Sequence, residues 1–278
     1  MSSFVFVSDF FVEQVLGGGE LNDYEIYKTF LQKWLNTSRI NSHSFSKQQL
    51  KKENFYVISN FINLKKDVKD SLKDYKYIIY EHDHKYIRSR NPALYKNFMA
   101  PKDQIINHDF YKNALAILCQ SQFHADIVYK NLGLQNIINL SGNVWSIESL
   151  EFMRQISKTE KINKISILNT KTSHKNTYGA INYCIQKKQE YGLISDSNYY
   201  SFLKKLGANK KFIFLPKTPE TLSRICVEAR MMNMSVIVNG LVGASKEEWY
   251  ALKGEELIDY MIQKREKIVE TIIGLFNE

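Results

Sequence analysis

The chain has 278 residues, a net charge of +9 at pH 7, and a composition of 44% hydrophobic and 24% charged residues. These values are typical of an ordinary globular protein, long enough to bury a core in one large domain or two smaller ones. No stretch approaches the ~20 consecutive apolar residues of a membrane-spanning helix, and the first ten residues lack the pattern of a secretory signal.

Eight short runs rich in Ile, Val, Phe and Tyr predict β-strands, each separated from the next by a helix or loop. The predicted strands are 3–9, 55–58, 76–81, 114–119, 136–140, 164–169, 211–215 and 235–238. The predicted helices are 23–35, 122–132, 176–190, 197–206 and 254–276. This alternation is typical of βαβ units and parallel sheets, in which ligands bind beyond the carboxyl ends of the strands.

A polar stretch at 155–163 precedes a new strand and predicts a domain boundary. We therefore expect two α/β domains with a cleft between them, an N-terminal domain at 1–160 and a C-terminal domain at 161–255. Residues 256–278 are expected to form a helix that returns to the first domain. Three cysteines, Cys119, Cys184 and Cys226, lie far apart inside apolar segments. They form no C-x-x-C pair, which favours free thiols in a reducing compartment and a cytoplasmic protein.

A glycine-rich loop, VLGGGELND (15–23), follows the first predicted strand. Consecutive glycines allow backbone N–H groups to approach a ligand closely, and the helix N-terminus after them favours an anion. The spacing is not G-x-G-x-x-G, so a dinucleotide site is not expected. A flexible loop without a ligand is the alternative interpretation.

A polar loop, YEHDHKYIRSR (80–90), follows the third predicted strand. His82 and His84 could ligate a metal, but no second cluster of His, Cys or Asp accompanies them, and we expect no metal site. A histidine that hydrogen-bonds a polar ligand and a simple solvated loop are the remaining interpretations.

Two lysines follow the strand at 164–169, within TKTSHKNT (170–177) at the start of a helix. Lys171 and Lys175 lie where a helix N-terminus already attracts phosphate. Cations at this position oppose the helix dipole, which argues only mildly against a purely structural role, so a structural and a ligand-binding role both stay open.

Glu220 and Glu228 are separated by seven residues before the last predicted strand. Thr218 is a good N-cap and Pro219 suits the first helical position, so a helix is predicted to begin there. In one continuous helix the two carboxylates would be about 12 Å apart along the axis. This separation suits two ends of one extended ligand better than paired acid–base catalysis, which needs about 5–10 Å.

The segment PETLSRICVEARMMNMSVIVNG (219–240) resembles the E-x7-E region of GT-B glycosyltransferases of the retaining family 4 type. The order of the other motifs is similar to that of this family. They are the Gly-rich loop at 17–19, the His-Asp pair at 82–83, AILCQSQFHADIVYKNLG (116–133), INLSGNVW (138–145) and Lys175. The resemblance implies two Rossmann-like parallel-sheet domains facing a cleft, in a compact version like that of bacteriophage enzymes.

The resemblance also implies roles for the matched residues. Glu228 would accept hydrogen bonds from the ribose of a nucleotide-sugar, and Glu220 would hold hydroxyls of the donor sugar. Lys175 would neutralise the departing nucleoside diphosphate, and His82 would orient the sugar. The other implied donor contacts are Gly18, Gly19, Lys171, Thr221, Leu222 and Ser223.

The sequence departs from the family pattern at two places. Thr221, Leu222 and Ser223 stand where Gly-Phe-Gly is usual, and Asn169-Thr170 replaces the usual Gly-Arg, with Lys171 in place of the arginine. The implied enzyme is a metal-independent hexosyl- or pentosyltransferase that retains configuration and requires no cofactor. UDP is the family's commonest carrier, and the leaving phosphate takes the proton of the acceptor.

The acceptor side of the predicted site is basic and aromatic. It contains Lys85, Arg88, Arg90 and Lys96, with Tyr86 and Tyr95 between them. Basic residues interleaved with aromatic ones suit a nucleic-acid backbone and an exposed base, and a hydroxymethylated pyrimidine in DNA is the favoured acceptor. A glycan of surface polysaccharide or lipopolysaccharide synthesis is the alternative acceptor. A non-catalytic nucleic-acid-binding α/β protein is the alternative class.

Overall fold

The computed structural model describes residues 3–33 and 35–277 and divides the chain into two compact units. The first unit comprises Met1–Val144 and Arg265–Glu278, and the second comprises Trp145–Lys264. Each is an α/β unit built on a parallel sheet, which confirms the predicted fold class. The polar stretch at 155–163 contains the end of one helix and the start of one strand of the second unit. Position 278 lies outside the described residues.

The first unit contains a six-stranded parallel sheet. Its strands are β1 (Phe4–Ser8), β2 (Thr37–Asn41), β3 (Phe55–Ile58), β4 (Lys76–Tyr80), β5 (Ile117–Cys119) and β6 (Ile137–Asn139). The strand order is β2-β1-β3-β4-β5-β6. The chain adds β2 on one side of β1 and all later strands on the other side, so the switch point lies between β1 and β3. The helices of this unit are α1 (Gly18–Gln32), α2 (Lys66–Leu72), α3 (His108–Lys112) and α4 (Gln122–Leu132).

Apolar side chains cover both faces of the first sheet. On one face, Phe4 and Phe30 of α1 pack together, with ring centroids 4.9 Å apart. The same cluster contains Ile268, Ile272 and Phe276. On the other face, a larger cluster contains residues of β3, β4, α2 and α4. Burial of these side chains is the main stabilising term of the unit.

The second unit contains a four-stranded parallel sheet. Its strands are β7 (Ile162–Leu168), β8 (Tyr191–Ile194), β9 (Asn209–Phe214) and β10 (Ser235–Val238), and its helices are α5 (Ile147–Ser157), α6 (Thr177–Gln186), α7 (Tyr199–Gly207) and α8 (Arg224–Met231). The order β10-β9-β7-β8 places β7 beside both β8 and β9. The connections reverse at β7 and β9, and ligands of open α/β sheets bind in the crevice at such a switch point.

The last helix, α9 (Gly254–Asn277), belongs to both units. In the first unit, Arg265 donates hydrogen bonds to Glu25 at 3.2 Å and to Thr29 at 2.6 Å. All three residues of this local network are buried, which fixes the C-terminal half of α9 on α1. None of the helices in the described ranges is long and apolar enough to cross a membrane.

The helix predicted to begin at Thr218 and Pro219 begins later, and this prediction was wrong. Helix α8 begins at Arg224, and Ser223 before it has a left-handed backbone with φ of +74°. Glu220 instead forms an isolated parallel bridge with Val242. The bridge satisfies backbone groups of Glu220 that a helix would otherwise have used, so the polar T-P-E sequence is not a helix start here.

Candidate functional sites

The carboxyl ends of β7 and β9 bring two of the predicted site residues together. Lys175, in the loop after β7, donates hydrogen bonds to both carboxylate oxygens of Glu220, at 2.8 and 2.9 Å. The Lys175 side chain is 30% exposed and that of Glu220 is 13% exposed. The ion pair is therefore accessible to a ligand at the topological switch point of the second sheet.

The backbone between Glu220 and α8 carries hydrogen-bond donors at the same place. The Glu220 N–H donates to the Leu241 carbonyl at 2.8 Å, which fixes the start of this segment. Among the described residues, no acceptor is found for the N–H groups of Leu222 and Ser223. Two such groups directly before a helix, two and three residues after the carboxylate that pairs with Lys175, suit an anion.

Glu228 lies in α8 and is only 3% exposed. Its Oε1 accepts hydrogen bonds from Trp145 Nε1 at 3.0 Å and from Tyr199 Oη at 2.7 Å. Arg224 lies one turn earlier, with its Nε 3.6 Å from the same oxygen. Burial, and secondly the nearby Glu228 charge, raise the pKa of Tyr199 well above its ordinary value, so its hydroxyl remains a donor.

The other predicted residues of the second unit have different surroundings. Lys171 is exposed in the loop after β7, four residues before Lys175. Thr221 is half-buried, and Leu222 is fully buried in the apolar core of the unit. The Leu222 side chain therefore anchors the segment, and only its backbone can meet a ligand.

His82 follows β4 in the first unit, and both of its ring nitrogens are hydrogen-bonded. Nε2 lies 2.6 Å from Asp23 Oδ1, and Nδ1 lies 2.9 Å from Gln120 Nε2. The same Gln120 amide nitrogen donates to the Glu81 carbonyl at 2.9 Å. Because an amide nitrogen is a donor, Nδ1 accepts and Nε2 carries the proton that Asp23 receives in its hydrogen bond. This network fixes one tautomer of the histidine.

The glycine-rich loop ends inside α1, beside His82. Gly18 and Gly19 are the first two helical residues, and Gly17 is the N-cap. A Cβ atom on Gly19 would lie 3.3 Å from Cγ of His82, so the close approach of ring and helix favours a glycine there. Glu20, in the same first turn, has a raised pKa, first because burial disfavours its charged form.

The predicted acceptor residues fall into two groups. Lys85 is 2% exposed, and its ammonium lies 2.6 Å from Glu81 and 2.9 Å from Asp83. The Lys85 charge is thus paired with carboxylates of its own unit. This differs from the exposed, acceptor-binding role that the sequence suggested. Arg88 and Arg90 are exposed, and Arg90 also pairs with Asp83.

Sequence reasoning missed the residues that hold these groups in place. Asp23, Gln120, Trp145 and Tyr199 each contact a predicted residue that lies 29 to 83 positions away in the chain. Of these four residues, only Gln120 carried a signal in the sequence, because it directly follows a predicted strand. Within the ranges 3–33 and 35–277, no group of three or more His, Cys, Asp or Glu is arranged to hold a metal ion.

Comparison with known proteins gives matches by structure only. No family model matches the sequence, and no curated protein matches it. The catalytic domain of starch synthase IV from Arabidopsis thaliana, bound to ADP and acarbose, matches 98% of this chain and 94% of its own, with 9% identity and a TM-score of 0.57. A glycosyltransferase from Rickettsia africae matches 99% and 94%, with 13% identity and a TM-score of 0.52.

A third match is HepE from Anabaena, solved in complex with UDP and glucose. It covers 97% of this chain and 90% of its own, with 10% identity and a TM-score of 0.51. Identities this low establish the fold and nothing further. The chain has the GT-B fold of these glycosyltransferases, with one six-stranded and one four-stranded parallel sheet.

Proposed function

We propose that this chain is a glycosyltransferase that binds its nucleotide-sugar donor at the switch point of the second sheet. The observation that carries the proposal is the Lys175–Glu220 pair, set beside the N–H groups of Leu222 and Ser223. A cation and unbonded N–H groups suit a diphosphate, and a carboxylate suits sugar hydroxyls. A nucleotide-sugar presents both kinds of group side by side.

Each residue of this site has a separate task in the proposed reaction. As the bond from sugar to phosphate breaks, negative charge grows on the nucleoside diphosphate, and Lys175 with the two N–H groups stabilises it. Glu220, released from part of its contact with Lys175, accepts hydrogen bonds from the donor sugar. Lys171 is the second cation of the same loop and approaches the phosphates from solvent.

Glu228 is proposed to bind the ribose of the nucleotide. Trp145 and Tyr199 both donate to Oε1. Oε2 is proposed to accept a hydrogen bond from a ribose hydroxyl. The two donors to Oε1 hold the carboxylate in one orientation, so little side-chain entropy is lost when the nucleotide binds.

The identity of the donor and the stereochemistry follow the family resemblance. We propose transfer with retention, without a metal, and from a UDP-sugar. HepE was solved with UDP and starch synthase IV with ADP, so both nucleotides belong in the test. Thr221 is proposed as an additional donor contact through its backbone.

In the first unit, His82 is proposed to act mainly by holding Asp23 and the start of α1 in place. Direct contact with the donor sugar would require one of its two ring hydrogen bonds to break. Gly18 and Gly19 remain proposed phosphate contacts, because the first N–H groups of a helix favour an anion. Arg88 and Arg90 are proposed to contact the acceptor, favoured as a hydroxymethylated pyrimidine in DNA, whereas Lys85 supports their loop from inside.

The test is release of nucleoside diphosphate from UDP-, GDP- and ADP-sugars, with DNA that contains hydroxymethylcytosine, with unmodified DNA, and without DNA. We expect one donor to be consumed, and Glu220→Gln and Glu228→Gln to abolish its use. Release stimulated only by the hydroxymethylated DNA supports the DNA acceptor. Release that is the same with and without DNA would still support a glycosyltransferase but would point to a glycan as the acceptor. Absence of both release and donor binding would overturn the proposal.

A further inference from the structure

Residues 88–104 form a closed excursion between β4 and β5, which we call the basic excursion. Its two ends are joined by an antiparallel bridge between Ile87 and Ile105. The Arg88 N–H donates to the Gln104 carbonyl at 2.9 Å, and the Ile106 N–H donates to the Tyr86 carbonyl at 2.8 Å. The excursion thus leaves the unit and returns at one place, as compact surface loops with functional roles do.

The basic excursion is anchored along its length. Asn131 of α4 accepts from the Ala100 N–H at 2.9 Å and donates to the Phe98 carbonyl at 2.8 Å. The ring of Phe98 packs edge-on against Phe123, with centroids 5.7 Å apart. Tyr95 packs against the apolar core of the unit. The aromatic side chains therefore face inward and fix the backbone of the excursion.

The outer surface of the basic excursion combines apolar and basic side chains. Leu94 is 66% exposed and Met99 is 58% exposed, although both sit on an anchored backbone. Four basic residues share this stretch with a single acidic one, Asp103. The four are Arg88, Arg90, Lys96 and Lys102, all exposed.

We propose that the basic excursion is a DNA-distorting element. Its cations bind phosphates on both sides of the acceptor nucleotide, and Leu94 and Met99 enter a base step to unstack that nucleotide. This inference rests on the proposed transfer to a base in DNA, since enzymes that do chemistry on a base often extrude it from the stack. Proteins that kink DNA insert leucine or methionine between base steps in this way.

The chemistry of the excursion favours DNA over a membrane surface. Interfacial membrane contacts use tryptophan and tyrosine at the headgroup level. Here the aromatic rings, Tyr95 and Phe98, pack toward the unit, and the projecting apolar residues are aliphatic. Two exposed arginines and two exposed lysines share the excursion with two exposed aliphatic side chains, which complements a phosphate backbone that flanks an apolar base stack.

The test uses a duplex with hydroxymethylcytosine next to 2-aminopurine, whose fluorescence rises when the base unstacks. Leu94→Ser/Met99→Ser should lose most of the fluorescence rise and weaken binding only slightly. Lys96→Gln/Lys102→Gln should weaken binding roughly fivefold per lysine at 0.15 M salt and lower the slope of log K against log salt by about 2. Each variant is first checked for an unchanged melting temperature.

Matched controls come from the same unit. Ile62→Ser removes a similarly exposed apolar side chain, and Lys51→Gln/Lys73→Gln removes two exposed lysines outside the excursion. We expect both controls to match the unchanged protein in fluorescence and in salt slope. Equal effects of the control and excursion variants would overturn the inference.

Two further outcomes separate this inference from the proposed function. If the excursion variants keep the DNA signals but lose binding to vesicles containing phosphatidylglycerol, the surface is a membrane contact and the inference is wrong. Donor consumption and donor binding are measured on the unchanged protein with and without DNA. Absence of both would overturn the glycosyltransferase proposal, whereas unstacking of DNA is read independently of any donor.

Discussion

Lys175 donates to both carboxylate oxygens of Glu220, at 2.8 and 2.9 Å, although the two residues are 45 positions apart. They meet because each follows one of two neighbouring strands, β7 and β9, on either side of the switch point. The pair keeps both charges in place before any ligand arrives. A nucleotide-sugar can replace part of this contact on each side, with its diphosphate on the lysine and its hydroxyls on the glutamate.

Lys175→Met should lower kcat by about 10²–10³-fold, because it removes a fixed cation from the leaving group. The free energy of unfolding should change by less than about 1 kcal/mol, since partly exposed ion pairs contribute little. Steady-state kinetics and thermal unfolding measure the two effects. Lys164→Met is the control, because Lys164 forms an exposed pair with Glu190 in the same unit. Normal turnover of Lys175→Met would contradict the assigned role.

Tyr199→Phe should raise KM for the donor about 5–10-fold and leave kcat nearly unchanged. The change removes one of two hydrogen bonds that orient Glu228, worth about 1 kcal/mol. Tyr200→Phe is the matched control, because Tyr200 is the neighbouring tyrosine of the same helix and packs edge-on against Phe152. Equal kinetics of both variants and the unchanged protein would mean that the orientation of Glu228 does not matter for donor binding.

Gly19→Ala and Gly274→Ala should have different effects on stability. At Gly274 an added Cβ meets no atom within 4 Å, so the helix should gain about 0.5–1 kcal/mol. At Gly19 the same gain is offset, because the methyl group lies 3.3 Å from the ring of His82, which Asp23 and Gln120 hold in place. Chemical denaturation compares the two, and equal stabilisation would show that the His82 ring moves freely.

Acidification should destabilise the protein through His124. Complete burial, and then the charges of His84, Lys85 and His82, hold the pKa of His124 well below 6.5. The unfolded state therefore binds a proton below about pH 6.5 that the folded state does not, and the free energy of unfolding falls by about 1.4 kcal/mol per pH unit.

His124→Phe tests this assignment by urea unfolding at several pH values. The variant loses the acceptor of the Gln120 N–H, so its stability at neutral pH should be lower. Its free energy of unfolding should nevertheless decline less steeply on acidification, with a slope smaller by the contribution of one proton, about 1.4 kcal/mol per pH unit. An unchanged slope would place the pH sensitivity in other groups.

The sequence predicted the central strands and the edge strands β6 and β10, but it missed the edge strands β2 and β8. β2 (TSRIN) and β8 (YGLI) lie at the edges of their sheets, and both are largely unburied. An edge strand needs only one neighbour and few apolar residues, so its sequence carries no clear period. The buried central strands, such as β1 (FVFVS), carry the apolar runs that parallel sheets require.

The site was predictable where a residue's place depends on the end of a strand. Lys175 and Glu220 lie together because each follows one of two neighbouring parallel strands. The helix start near Thr218 was predicted wrongly, because the choice between a helical turn and a bridge to Val242 depends on a partner 22 residues away from Glu220. Local capping patterns contain no information on such a partner.

The two-part composition of the first unit has a consequence for biosynthesis. Its core includes Ile268, Ile272 and Phe276, which contact side chains such as Phe4, and these residues are translated only after the whole second unit. During synthesis, one apolar face of the first sheet therefore stays partly uncovered until the end of the chain is made. The second unit can complete its own core before that. We expect the second unit to finish folding before the first, although the first sheet leaves the ribosome earlier. We expect a chaperone to bind the uncovered apolar face of the first sheet.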